Sequence, residues 1–229
     1  MAKVAVRLST YTPPPPPITG WWLPVGVSSA DCFGAYRGKG AASYAASKGN
    51  LNAPGTHDLY KGSTTDPTWN AGVGWSNCGP STHLRMTGGC YPTHEWTYII
   101  QVVNAGEYSQ QFCGQSELPD SLGSPLGCGI NNTSAYQVLN NFGYANVGGI
   151  VTNGNIAIAG KRCYRYGSYV ATCAAGTGTA LWDFTWFSSN WAGTMHGGLY
   201  QTIFTAMAIY SVTLTDAQVL AVANSMAAF

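Results

Sequence analysis

The chain has 229 residues, of which only 8% are charged, and its formal net charge is +1; about 25% charged is usual. So weak a field excludes binding to nucleic acid or an anionic membrane through a basic surface. Hydrophobic residues at 45% support a sizeable core, which excludes wholesale disorder, and 29 Gly with 13% aromatics favour a turn-rich β protein over a helical one.

The first twelve residues, MAKVAVRLSTYT, carry Lys3 and Arg7 but no continuous apolar run and no small-residue cleavage site. They predict cytosolic synthesis without a signal peptide. A β-like arm up to Tyr11 is followed by Pro13, Pro14, Pro15, Pro16 and Pro17. Five prolines form a stiff polyproline II rod of about 15 Å at about 3.1 Å per residue. Residues 1–20 therefore read as an assembly arm that docks on neighbours, by strand addition for example. Trp21 and Trp22 then serve as its interface anchor, or as a lid on the domain formed by residues 21–229.

Within that domain, residues 37–48 (RGKGAASYAASK) predict a short helix stopped by Gly49 in the C′ position. Residues 94–103 (HEWTYIIQVV) predict a strand with Trp96, Tyr98, Ile100 and Val102 on one face. Thr97, Ile99, Gln101 and Val103 occupy its other face. Residues 134–143, 154–173, 179–187 and 199–214 continue the strand pattern. Thr215-Asp216-Ala217-Gln218 is a capping box. It opens a helix with an apolar stripe of Val219, Leu220, Val222, Ala223 and Met226. Many short strands with one terminal helix predict a single antiparallel two-sheet sandwich.

Seven cysteines stand at 32, 78, 90, 113, 128, 163 and 173, and none forms a CxxC pair. Zinc-ribbon and thioredoxin-like readings fail on that spacing. Cys163 and Cys173 flank Ser168 symmetrically in CYRYGSYVATC, with Gly167 at the turn, so a hairpin there would bring them face to face as a candidate disulfide. Cys78/Cys90 and Cys113/Cys128 are further local pairs, and buried free thiols are the alternative. Bridges in a protein of cytosolic origin would suit a particle released to an oxidising exterior, or a thermophilic host.

The ending AMAIYSVTLTDAQVLAVANSM resembles the closing strand and helix of laminin-G-like (concanavalin A-like) jelly-roll domains. Ile209-Tyr210 and Leu214-Thr215 match, with Gln218 in place of the usual Glu. HEWTYIIQVVN resembles the family's core strand with Trp96 inward, and IAIAGKRCYRYGSYVATC its pair of strands around a glycine turn. AYRGKGAASYAASKGNLNAPGT is similar to a segment of such domains in bacteriophage and prophage proteins. The resemblance covers residues 30–229 and implies a jelly-roll sandwich with a concave face and variable rim loops. Fold alone does not decide function among carbohydrate binders, adhesion modules, glucanases and virion proteins.

Catalysis has little to work with. Glycoside hydrolysis needs two carboxylates about 5–9.5 Å apart. The glucanase strand motif E-x-D-x-x-E is absent, and no two of the nine acids alternate along a strand. There is no G-x-S-x-G elbow for a nucleophile, and no GxGxxG or P-loop for a nucleotide. The four His (57, 83, 94 and 196) read as loop or strand-end hydrogen-bonders. The resemblance implies a rim Ca²⁺ for which Asp58, Asp66 and Asp120 are the loop acids, but no D-x-D-x-D-G run supports it. The expectation is a non-enzyme without cofactor or metal. Carbohydrate contact remains, because sugar rings stack on aromatic faces while amides and hydroxyls take their OH groups. Trp69, Trp75, Asn190, Trp191, His196 and Tyr200 are the candidate contacts.

These readings converge on a virion structural protein of a bacteriophage: a head decoration, tail, fibre or baseplate component. It would pair with copies of itself and other virion proteins. The alternative is a carbohydrate-binding or adhesion module for cell-surface glycans.

Overall fold

The computed structural model describes residues 20–79, 81–93, 95–103, 110–116, 126–130, 136–140, 143–146, 153–173, 184–187, 189–191, 194–196 and 202–229. The chain opens with β1 (Cys32–Arg37), α1 (Tyr44–Lys48), β2 (Leu59–Lys61), β3 (Thr68–Asn70), β4 (Gly74–Ser76), β5 (Leu84–Met86) and β6 (Thr97–Val103). It continues through β7 (Gln110–Ser116), β8 (Leu126–Ile130), β9 (Tyr136–Asn140), β10 (Gly143–Asn146), β11 (Asn153–Ala159), β12 (Arg162–Arg165) and β13 (Ser168–Thr172). It closes with β14 (Thr185–Trp186), β15 (Ser189–Trp191), β16 (Thr194–His196), β17 (Ile203–Tyr210) and α2 (Asp216–Ala227).

Among the described residues these strands form two sheets. The first runs β13-β12-β11-β6-β17-β4-β3, with β1 also paired to β17. The second runs β10-β9-β8-β7-β14-β5-β2, with the β15–β16 hairpin attached to β7. Pairings are antiparallel except β15 on β7. The expected antiparallel sandwich with a short C-terminal helix is the observed architecture.

The alternation of β6 explains its central place. Tyr98, Ile100 and Val102 enter the core between the sheets, beside Trp75, Phe184, Trp186 and Met207. Ile99 points the other way, into a second core under α2. A side chain of this size removed from water contributes about 1.5–3 kcal/mol, so a strand buried on both faces anchors the domain. Small residues line the helix side: Ala35, Ala157, Ala159, Ala206 and Ala208 let Val219, Val222 and Met226 approach the sheet. In β17 a bulge between Phe204 and Ala206 resets the alternation. Phe204 and Met207, three apart, therefore both reach the inter-sheet core.

Polar side chains tie the elements together at this seam. Thr97 Oγ1 donates to Val212 O at 2.8 Å and accepts from Leu214 N at 2.9 Å. Buried Asn155 donates from Nδ2 to Ala223 O at 3.2 Å, tying sheet to helix. The capping box is formed: Thr215 and Gln218 exchange side-chain and backbone hydrogen bonds at the start of α2. The apolar stripe is narrower than expected, because Leu220 is 42% exposed.

The helix expected over 37–48 is confined to Tyr44–Lys48 and capped by Ser43 Oγ, which accepts from Ala46 N at 3.0 Å. Arg37 instead ends β1, opposite Ala206. Gly49 is extended (φ −67°), so the helix stop does not use the left-handed freedom of glycine.

The 154–173 hairpin is present, with Tyr166 and Gly167 at positive φ in its two-residue turn. The turn centres on Tyr166-Gly167 rather than on Ser168, and even with the bulge between Cys163 and Tyr164 that advances the register by one, Cys163 faces Ala171 rather than Cys173. The two cysteines are diagonal neighbours on one face, their sulfurs 3.1 Å apart and buried. Cys113 and Cys128 are register partners of β7 and β8. Cys78 and Cys90 are both buried in the inter-sheet core.

Candidate functional site: an indole-walled pocket beside α1

Tyr11 and the five prolines lie outside the described residues. Trp21 and Trp22 do not: both are half-buried and pack on their own chain. Leu23 N donates to Gly20 O at 3.0 Å, which turns the segment back. Tyr210 Oη donates to Trp22 O at 2.7 Å, and Trp22 Nε1 to Asn52 Oδ1 at 3.3 Å. The Trp21 ring meets Trp22 edge-on at 5.6 Å and Phe229 at 5.4 Å. Of the two roles expected for this pair, the geometry is that of the lid.

The lid leaves a pocket of about 280 Å³ walled by Trp21, Trp22, Arg37, Gly40, Ala41, Ala42, Ala46 and Leu51. Each wall has a local cause. Pairing of β1 with β17 places Arg37 at a strand end. Its Nε donates to Lys39 O at 2.8 Å, and its guanidinium carbon lies 4.3 Å from the centroid of the Phe229 ring. Gly40 adopts φ +77° and its N–H donates to Ala71 O at 2.6 Å. A Cβ there would lie 2.6 Å from Arg37 Nη2, so glycine both permits the backbone and clears the guanidinium. The Ser43 cap starts α1 so that Ala42 and Ala46 form a smooth wall, and Leu51 is held by its N–H to Ala35 O at 2.8 Å.

Its polar equipment is sparse and of one sign. Arg37 engages the protein only through Nε and its ring face, and its terminal nitrogens have no protein acceptor among the described residues. Lys39, next along, donates Nζ to Phe229 O at 2.9 Å. Trp21 Nε1 is buried without an acceptor. No carboxylate lines the pocket among the described residues. It can stack a ring and donate hydrogen bonds. It holds no acid–base pair.

The residues expected to contact sugar fall into separate places. Trp75 is fully buried, its Nε1 donating to Ser47 Oγ at 3.1 Å and its ring 5.8 Å from Phe187. A ring enclosed on both faces cannot stack on sugar, so Trp75 is a core residue. Trp69, its register partner, is half-buried on β3, donates Nε1 to Gly38 O at 2.8 Å and packs 6.3 Å from Tyr44. Asn190 and Trp191 on β15 share a hairpin with His196 on β16. The positions of those three side chains, and Tyr200 altogether, lie outside the described structure.

The loop acids are engaged locally. Asp58 accepts from Asn50 N at 2.8 Å and Gly55 N at 3.2 Å. Asp66 accepts from Tyr44 Oη at 2.6 Å and sits 3.8 Å from Lys48 Nζ. Asp120 is outside the described residues. No group of three His, Cys, Asp or Glu suited to a metal occurs among the described residues.

Sequence reasoning flagged the Trp21-Trp22 doublet but missed Arg37 and Gly40. Their one visible signal, two glycines flanking Lys39, suits a turn better than the helix assigned there.

No protein-family model and no curated protein sequence matches the chain. Solved structures do match in fold. A mutant of Trypanosoma rangeli sialidase displaying trans-sialidase activity superposes with a TM-score of 0.57 at 12% identity. The match covers 88% of this chain and 34% of that one, so the chain spans about a third of the length of the sialidase. Domain 4 of AbnA, a GH43 extracellular arabinanase from Geobacillus stearothermophilus solved with arabinotriose, gives 0.51 at 11% identity, covering 84% of this chain and 98% of that domain. These likenesses define the class: a jelly-roll-like, concanavalin-like β-sandwich.

Proposed function

We propose that the protein is a non-catalytic carbohydrate-binding module whose site is the Trp21–Trp22–Arg37 pocket. The observation that carries this reading is the pocket itself, two indoles and the Arg37 guanidinium around a cavity of about 280 Å³. Ligand pockets start near about 300 Å³, so a single sugar ring suits this one better than a long chain. The arabinanase domain, of nearly the same extent and solved with arabinotriose, adds support at the level of fold. Asp58 and Asp66 are committed to local hydrogen bonds and Asp216 to Arg162 and Tyr164, which favours binding over turnover.

The virion role loses ground on this geometry. Trp21 and Trp22 cover their own domain, and the rest of the arm is outside the described residues. An array of neutral and acidic oligosaccharides, probed with the full chain and with Trp21→Ala and Trp22→Ala, tests the proposal. Binding should be lost in both variants while circular dichroism is unchanged. A blank array, or binding that survives both substitutions, would overturn it.

A further inference from the structure

We infer that the pocket selects sugars bearing a carboxylate, with Arg37 as the residue that reads it. This inference rests on the carbohydrate-binding proposal and narrows it to a ligand class. Three observations carry it. Arg37 lines the cavity, yet its terminal nitrogens have no protein acceptor among the described residues, so its fork is open toward a ligand. Among the described residues no carboxylate side chain lies in ion-pair range of Arg37, while Lys39 is engaged by the terminal oxygen of Phe229. The side chains of Ala41, Ala42, Ala46 and Leu51 make the rest of the lining apolar, so among the described residues Arg37 is its one charged group.

A planar guanidinium matches a carboxylate bidentately, and such charge-assisted bonds are about twice as strong as neutral ones. A neutral hexose would leave that fork unfilled. Gly40 reinforces the assignment: a side chain there would collide with Arg37 Nη2, so the loop conformation keeps the fork unobstructed.

The experiment is an array of glycans ending in uronic or other sugar acids, each printed beside its methyl-esterified counterpart, which keeps the ring and removes the charge. The full chain should bind the acid about tenfold more tightly than its ester. Arg37→Met, which keeps an unbranched side chain and removes the charge, should bring the acid down to the level of the ester. Arg37→Lys should restore part of the preference, and thermal melts should show both variants folded. Equal binding of acid and ester by the full chain would defeat this inference and leave the carbohydrate proposal standing. So would an acid preference that persists in Arg37→Met. A blank array would defeat both.

Discussion

Asp216, the first residue of α2, grips Arg162 of β12 with both carboxylate oxygens, Oδ1 at 2.7 Å from Nη1 and Oδ2 at 2.7 Å from Nη2. Tyr164 Oη donates to the same Oδ1 at 2.7 Å. One acid thus fastens the helix to the hairpin while standing at the positive end of the helix dipole. Both charged side chains are about half exposed, so solvent screens the pair. We expect Asp216→Asn to cost about 1 kcal/mol, measured as the shift in urea midpoint at constant slope. The loss should shrink in 1 M salt; a salt-independent loss would mean the bidentate pair is not its source.

The hairpin also meets the helix through a glycine. Gly167 has φ +73°, and a Cβ on it would lie 2.7 Å from Leu220 Cδ1 and 3.1 Å from Ala223 Cβ. Gly167→Ala should therefore destabilise by about 1–3 kcal/mol, through strain and through displacement of α2. Thermal unfolding checks this, and Leu220→Ala in the same background should recover part of the loss.

The sulfurs of Cys163 and Cys173 are already in contact at 3.1 Å. Mild oxidation should join them and lower the mass by two hydrogens, with peptide mapping locating the bridge. Closing so short a loop should raise stability by about 2–3 kcal/mol, reversible by reductant. Burial pushes the Cys32 thiol up to about 12 and holds that of Cys78 well above its usual range. Neither should react with iodoacetamide at pH 8 until the protein unfolds.

Alkaline pH should unfold the protein. Burial raises the phenols of Tyr36 and Tyr210 well above their ordinary value of about 10, and burial, then the Asp66 and Asp216 carboxylates, do the same for Tyr44 and Tyr164. A folded-state value above the unfolded one gives stability that is complete below the unfolded value and lost as pH rises beyond it. Stability should therefore hold to about pH 9 and fall from about pH 10. Phenolate absorbance should rise with unfolding rather than before it. Tyrosines that ionise freely at pH 10 in the folded state would contradict this.

Local signals were faithful wherever local physics decides. Thr215–Gln218 capped the last helix as its spacing required, the 154–173 turn fell at Gly167, and the alternation of 97–103 matched its two cores. Misreadings arose where pairing overrides pattern. The two-residue turn centred on Tyr166-Gly167 rather than Ser168 left Cys163 opposite Ala171, and pairing with Ala206 drew Arg37 into a strand that composition alone made helical. Trp75 looked like a rim residue among glycines, yet its register beside Phe204 places it in the core. The pocket was illegible for a similar reason: residues 21, 37, 46 and 51 converge only after β1 docks on β17 and Gly20 turns the chain, and no spacing encodes that.

The edge-to-face contact of Trp21 with Phe229 joins the two extremities of the described fold at 5.4 Å. A short glycine–serine tether between these positions, with new ends cut at an exposed turn such as residues 54–55, should give a circular permutant that still folds. By the same token, the whole sandwich could be grafted into a surface loop of a host protein with little distortion at the seams. In either setting the tether would run past the rim of the indole pocket, so its length and charge offer a means of tuning access from outside the fold.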